Sequence, residues 1–205
     1  MKFLPDKIPV FPLSGVIYFP KTNLPLNIFE ERYIDLVNDA FRKNKLMGII
    51  QCKKESKEVY KVGCLGRISD FQKNKDGRIL INLTGLTRFE IIEEVNNSKL
   101  YREFKVLYKK FEIDLKSTSE IINANILMEK ARIFFEKNGL LLNWKEFEKL
   151  DDTQQINTLA MIAPITNGEK QKLLESKTLN EKLKTLENII KFYLYANDFK
   201  TQTLQ

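Results

Sequence analysis

The chain has no histidine and only two cysteines, Cys52 and Cys64, in 205 residues. Without an imidazole it has neither the commonest general base nor the usual nucleophile triads, and most transition-metal sites are excluded. Two cysteines without histidine partners do not make a zinc site. Cys64 lies in Val62-Gly63-Cys64-Leu65-Gly66, which reads as buried strand. A single disulfide is formally open, but both thiols are expected to be buried and inert, and so sparse a cysteine content fits a reducing compartment. No G-x-x-x-x-G-K-[ST] segment is present to cradle a nucleotide's phosphates. No stretch reaches the roughly 18 apolar residues of a membrane span, and MKFLPDKIP at the N-terminus has no sustained apolar core of a leader. The expectation is a cytoplasmic protein without cofactor or membrane attachment.

Enzymatic constellations are equally thin. The carboxylate pairs Glu30-Glu31, Glu93-Glu94 and Asp151-Asp152 are adjacent in sequence, so their side chains diverge on a helix or strand. Ser14-Gly15 and Ser56-Lys57 lack the context of a nucleophile elbow or a serine-lysine dyad. No catalytic residue, metal ligand or cofactor ligand is expected, and the chain reads as a non-enzyme.

What is present is an ordinary globular composition, 43% hydrophobic and 30% charged, with a net charge of +7. That charge is the argument for a nucleic-acid partner. Only seven of the 34 basic residues are arginine, whereas base and phosphate contacts favour the guanidinium fork. The lysines are also dispersed, at Lys73 and Lys75, Lys109-Lys110, and Lys182, Lys184 and Lys191. A solvated lysine surface is the preferred reading, and an RNA- or ribosome-associated module is the alternative.

Five of the six prolines fall in the first 25 residues, where each fixes φ and removes a backbone donor. Val10, Phe11 and Leu13 read as a short strand edge. Val16 to Phe19 is an apolar run that must be buried or bind something. Asn27 and Glu30 have capping-box spacing, which predicts a helix from about Ile28. Tyr33, Leu36, Val37, Ala40 and Phe41 recur as one buried helical face.

Strands are predicted over 46–51 and 60–71. Asp76-Gly77 serves as a positive-φ hairpin turn, followed by a return over 79–83. Gly85 marks a bulge or bend before a strand over 86–95, and Tyr101 to Phe111 continues after an Asn96-Asn97-Ser98 turn. Strands and one crossing helix suggest a small, partly closed β-barrel. After Leu115 the pattern is helical. Starts are signalled by Ser117-x-x-Glu120, Asn143-x-x-Glu146, Asp152-x-x-Gln155, Thr166-x-x-Glu169 and Thr178-x-x-Glu181, and stops by Gly139 and Pro164. Leu179, Leu183, Leu186, Ile190 and Tyr193 form a packing stripe on the last helix, and Trp144 is expected to pack among these helices.

Pro9, Phe11-Pro12-Leu13, Gly15, Phe19-Pro20, Leu24-Pro25-Leu26, Ile28-Phe29-Glu30 and Arg32-Tyr33 together resemble the opening of the Lon protease N-terminal domain. Val62-Gly63, Gly66-Arg67-Ile68, Asp76-Gly77-Arg78 and the Gly85-Leu-Thr-Arg-Phe89 segment resemble its middle, and Pro164 to Glu175 its helical half. The resemblance implies an α+β fold: a PUA-like β-barrel lobe with one crossing helix over residues 1–115, then an all-helical bundle over 116–205. It further implies a non-catalytic peptide- or protein-binding module, a stand-alone counterpart of Lon's substrate-recognition domain without its ATPase and protease parts. Its partners would be unfolded or exposed apolar protein segments, with a protease or chaperone as a further partner. The candidate binding residues are Tyr18, Phe19, Arg32, Tyr33, Arg88 and Phe89. An exposed strand edge beside them is one route by which a peptide strand could add.

Overall fold

The computed structural model describes residues 4–53, 58–116 and 123–202, with side chains to residue 195. Ser56-Lys57 and the helix start expected at Ser117 to Glu120 lie outside these residues. The chain divides into two compact units, Met1–Lys116 and Ser117–Gln205.

The first unit contains strands β1 (Lys7–Leu13), β2 (Asn23–Ile28), β3 (Leu46–Gln51), β4 (Val62–Lys73), β5 (Ile79–Val95) and β6 (Arg102–Leu107). Helix α1 (Glu31–Arg42) lies between β2 and β3, and a 3-10 helix (Lys109–Leu115) follows β6. The strands form one sheet in the order β2-β5-β4-β3-β1-β6, and β5 also pairs with β6. The row β5-β4-β3-β1-β6 thus returns to its first strand. Only β1 with β3 is parallel, as expected when a helical crossover separates two strands.

Strand β1 is therefore flanked on both sides, by β6 along Lys7 to Val10 and by β3 along Val10 to Leu13. The sequence reading of an edge holds only for its last residues, past the end of β6. The helix also begins later than Asn27-x-x-Glu30 predicts. Ile28 remains paired with Ile79 in the sheet, and Glu30 occupies the N-cap without a side-chain cap. Its carboxylate instead pairs with Arg32. The buried face of α1, Tyr33, Leu36, Val37 and Ala40, follows the expected stripe, and Phe41 stacks on Phe71 with centroids 4.4 Å apart.

The hairpin joining β4 to β5 turns through Asn74 to Arg78, and of the Asp76-Gly77 pair only Gly77 has positive φ. The register of β4 against β5 slips between Leu65 and Gly66, opposite Leu86, so the bend expected at Gly85 is a bulge within one continuous strand. Gly85 has a packing reason as well. A Cβ there would lie 2.3 Å from the Phe19 carbonyl oxygen, so its absence lets the Phe19 to Thr22 segment cross. The core under the sheet gathers Ile8, Val10, Leu46, Ile50, Leu65, Phe89, Phe104 and Val106. The Phe89 ring fills space left by two glycines: a Cβ on Gly48 or Gly63 would approach it to 2.9 or 2.6 Å.

The second unit carries α2 (Asn125–Lys137), the short α3 (Trp144–Phe147), α4 (Asp152–Ile162), α5 (Asn167–Glu175) and α6 (Leu179–Gln202). Gly139 at φ 66° follows the end of α2, and Pro164 stands just beyond α4. The capping box of α4 is Asp151 with Gln154, one residue before the expected Asp152-Gln155 pair. Thr166 and Glu169 form the box of α5, Asn143 caps α3, and Thr178 Oγ1 accepts the Glu181 N–H at the start of α6. Leu183, Leu186 and Ile190 of the α6 stripe are buried, and Trp144 packs edge-on against Phe135 and Phe147.

Candidate functional site

All six residues singled out from sequence belong to the first unit, and four of them are almost wholly enclosed in its interior. Tyr18, Phe19 and Phe89 are fully enclosed. Burial drives the Tyr18 hydroxyl well above the usual tyrosine range. The Arg88 side chain is 3% exposed and forms a two-pronged ion pair with Asp114, Nε to Oδ2 and Nη2 to Oδ1, both 2.8 Å. Asp114 Oδ2 also accepts the Arg88 backbone N–H at 3.0 Å. The guanidinium lies 4.3 Å from the centroid of the Phe111 ring. This arrangement fastens the 3-10 helix to β5 and leaves none of the four able to touch a partner while the unit is folded.

Arg32 is exposed, and Tyr33, though only 7% exposed and part of the buried face of α1, turns its ring to the same opening. They line a cleft of about 870 Å³ together with the end of β1, the end of β2, the start of α1, Cys52 of the loop after β3, Glu94 of β5, and Leu100 to Arg102. Its floor is aromatic: the Phe11 and Tyr33 rings meet at 3.9 Å with a 35° tilt, and the Arg32 guanidinium lies 4.5 Å from the Tyr33 centroid. Burial pushes the Tyr33 hydroxyl above its ordinary range, opposed by the neighbouring Arg32, so the floor carries no phenolate at neutral pH.

Two large apolar side chains stand open in this lining, Phe29 at 67% and Leu100 at 59% exposure. The charges around them are paired within the protein. Arg32 Nη2 lies 2.6 Å from Glu30 Oε2. Arg102 binds Glu94 through Nε at 2.7 Å and Nη2 at 2.6 Å, a contact that holds the Glu94 carboxyl below its ordinary range. Behind this wall, the Tyr101 hydroxyl donates to Asp39 of α1 at 2.7 Å. Lys99 donates to both Tyr101 and the buried Glu103. The wall is therefore fixed, and the cleft offers an apolar patch rimmed by polar side chains and by charges paired with one another.

Phe11, Phe29, Leu100 and Arg102 were not singled out from sequence as site residues. Phe29 had a signal, because it falls outside both the strand alternation that buries Ile28 and the helical stripe that begins at Tyr33. Leu100 lies in an irregular connection with no period to depart from. Cys52, expected to be buried, is half-buried in the cleft lining, while Cys64 is enclosed. Among the described residues there is no cluster of three His, Cys, Asp or Glu side chains able to hold a metal ion, and no helix is long and apolar enough to cross a membrane.

The family model of the ATP-dependent protease La (LON) substrate-binding domain matches residues 7–191. The chain is 27% identical to the Lon protease of Buchnera aphidicola over 196 residues, covering 89% of this chain and 24% of that protein. It is also 27% identical to the Lon protease of Syntrophus aciditrophicus, covering 93% of this chain and 26% of that one. It thus spans about a quarter of the length of these curated relatives. Two solved structures share the fold. The Lon N-terminal domain protein from Xanthomonas campestris superposes with a TM-score of 0.66 at 23% identity, covering 88% of this chain and 96% of that one. The N-terminal domain of Mycobacterium avium complex Lon protease gives 0.66 at 15% identity, covering 90% and 98%. The fold is α+β, a mixed sheet with helices, and the chain belongs to the Lon substrate-binding domain family.

Proposed function

We propose that this chain is a non-catalytic recognition module that captures exposed apolar segments of unfolded polypeptides in the cleft lined by Phe11, Phe29, Tyr33 and Leu100. The observation that carries this reading is the pair of open apolar side chains, Phe29 and Leu100, beside an aromatic floor whose surrounding arginines are neutralised by Glu30 and Glu94. Exposed apolar residues clustered in one concavity mark a binding surface more often than a solvated one. The family's substrate-binding description is consistent with this role. In this reading residues 1–115 are a small PUA-like barrel that carries recognition, and residues 116–205 are a helical bundle available to a protease or chaperone. Arg32 and Tyr33 belong to the binding surface, while Tyr18, Phe19, Arg88 and Phe89 serve by holding its frame.

An RNA-binding reading has less support, since five of the seven arginines are engaged with carboxylates: Arg32, Arg78, Arg88, Arg102 and Arg132. The two readings separate on salt. Binding of a reduced, unfolded client protein and of a single-stranded RNA is titrated from low to high ionic strength. Client binding that changes little with salt supports the cleft. RNA binding that falls steeply with salt, as counterion release requires, with no client binding, would overturn it.

A further inference from the structure

Two strand edges border the cleft, the end of β1 and the open side of β2, and each carries a proline at an outward-facing backbone position. The phase of β1 follows from its hydrogen bonds. The Val106 N–H donates to the Asp6 carbonyl at 2.8 Å, and Lys7 stands opposite Lys105. In an antiparallel pair bonded and non-bonded positions alternate. Ile8 and Val10 therefore direct their backbone groups at β6, and Pro9 falls at a non-bonded position. The Leu13 carbonyl accepts the Cys52 N–H at 3.0 Å on the β3 side, which agrees with that phase. Position 12 accordingly points to the side β6 would occupy, but pairing with β6 stops at Val10 and Arg102. The residue there is Pro12, which has no N–H.

On β2 the Gly85 N–H donates to the Thr22 carbonyl at 2.9 Å, and Leu24 stands opposite Leu83. Leu24, Leu26 and Ile28 thus face β5, while Asn23, Pro25 and Asn27 face outward. The middle of these three outward positions has no donor. An added strand needs successive donors and acceptors along the edge it joins, and a proline at an outward position is a recurrent means of preventing that.

Building on the cleft reading above, we propose that the occupant, an apolar stretch of unfolded polypeptide, is held through its side chains and does not add a strand to either edge. Its Leu or Phe side chains rest on the Phe11 and Tyr33 rings between Phe29 and Leu100. Because backbone pairing contributes nothing, recognition depends on side-chain character and is indifferent to strand register and direction. This is a different mode from edge addition, in which main-chain hydrogen bonds supply the affinity.

The test uses a short synthetic peptide alternating Phe and Leu with Ser, and two copies in which alternate amides are replaced by esters, one set at odd and one at even positions. Each ester removes a donor without adding bulk. The expected result is that both ester peptides bind within about threefold of the parent, while replacing Phe and Leu by Ala weakens binding by more than about tenfold. A loss of more than about tenfold with either ester peptide overturns side-chain-only recognition and leaves the cleft in place. A parent peptide that does not bind, or that binds a Phe29→Ala/Leu100→Ala variant as tightly as the wild type, overturns the cleft reading and this inference with it.

Discussion

Arg88 and Arg32 make the same two kinds of contact in two different places. Each guanidinium pairs with a carboxylate and lies over an aromatic ring: Arg88 with Asp114 and Phe111, Arg32 with Glu30 and Tyr33. The first pair is 3% and 10% exposed, the second 53% and 44%. That difference in solvation separates their roles. A buried charge that loses its partner is left in a low-dielectric interior, whereas an exposed one is rehydrated. The inner constellation is a fastener between β5 and the 3-10 helix, and the outer one is surface chemistry at the entrance to a cleft. The adjacent arginine-aromatic pairs in the sequence, Arg32-Tyr33 and Arg88-Phe89, do not distinguish them.

The largest expected effect separates the two sites on stability. Arg88→Ala strands the Asp114 carboxylate and should destabilise the protein by about 3–5 kcal/mol in urea unfolding, while an Arg88→Met/Asp114→Asn double variant, which removes both charges and keeps an acceptor for the backbone N–H of residue 88, recovers much of that loss. Arg32→Ala should cost no more than about 1 kcal/mol, as expected of an exposed pair. Equal losses at the two arginines would erase the distinction.

Next in size is an effect on binding without one on stability. The Phe29→Ala/Leu100→Ala variant should bind an unfolded client at least about tenfold more weakly, with unfolding free energy within about 0.5 kcal/mol of wild type. Fluorescence anisotropy beside urea unfolding reads both quantities.

Acid should act on the wall behind the cleft. Burial alone would raise the Glu103 carboxyl, but hydrogen bonds from Lys99 and Lys7 outweigh it and hold the group below its ordinary range. Arg102 does the same for Glu94. A carboxylate whose folded pKa is depressed stabilises the fold above its unfolded value and loses that contribution as pH falls through the folded one. The melting temperature should therefore be level from neutrality to about pH 5 and fall below about pH 4.5, with a shallower fall in Glu103→Gln. The smallest effect is expected from Pro25→Val, which restores an outward donor on β2. It should leave stability near wild type and produce weak self-association in sedimentation.

Much of the frame could be read from sequence because periodicity reports burial. The α1 stripe, the strand over 46–51, the Gly139 and Pro164 stops and the α6 stripe all follow from it. Reading failed where tertiary pairing overrode a local signal. Asn27 has the spacing of a cap, but pairing with β5 keeps the chain extended through Ile28. Arg88 and Phe89 belong to a well-marked segment, Gly85 to Phe89, whose features serve packing: Gly85 admits the crossing chain, and Gly48 and Gly63 make room for the Phe89 ring. The cleft was only partly visible. Arg32 and Tyr33 were singled out, but Phe11, Leu100 and Arg102 come together from β1, a turn and β6, and sequence spacing does not encode that convergence.

Capture of apolar segments in the cleft is tested most directly by a map of amide chemical-shift changes as an unfolded apolar peptide is titrated into isotope-labelled protein. Changes are expected to concentrate at Phe11, Leu26, Phe29, Tyr33, Leu100 and Arg102, with Arg88, Phe89 and Tyr18 unmoved. Changes confined to lysine-rich surfaces or to the helical unit, with the cleft silent at saturation, would contradict that capture.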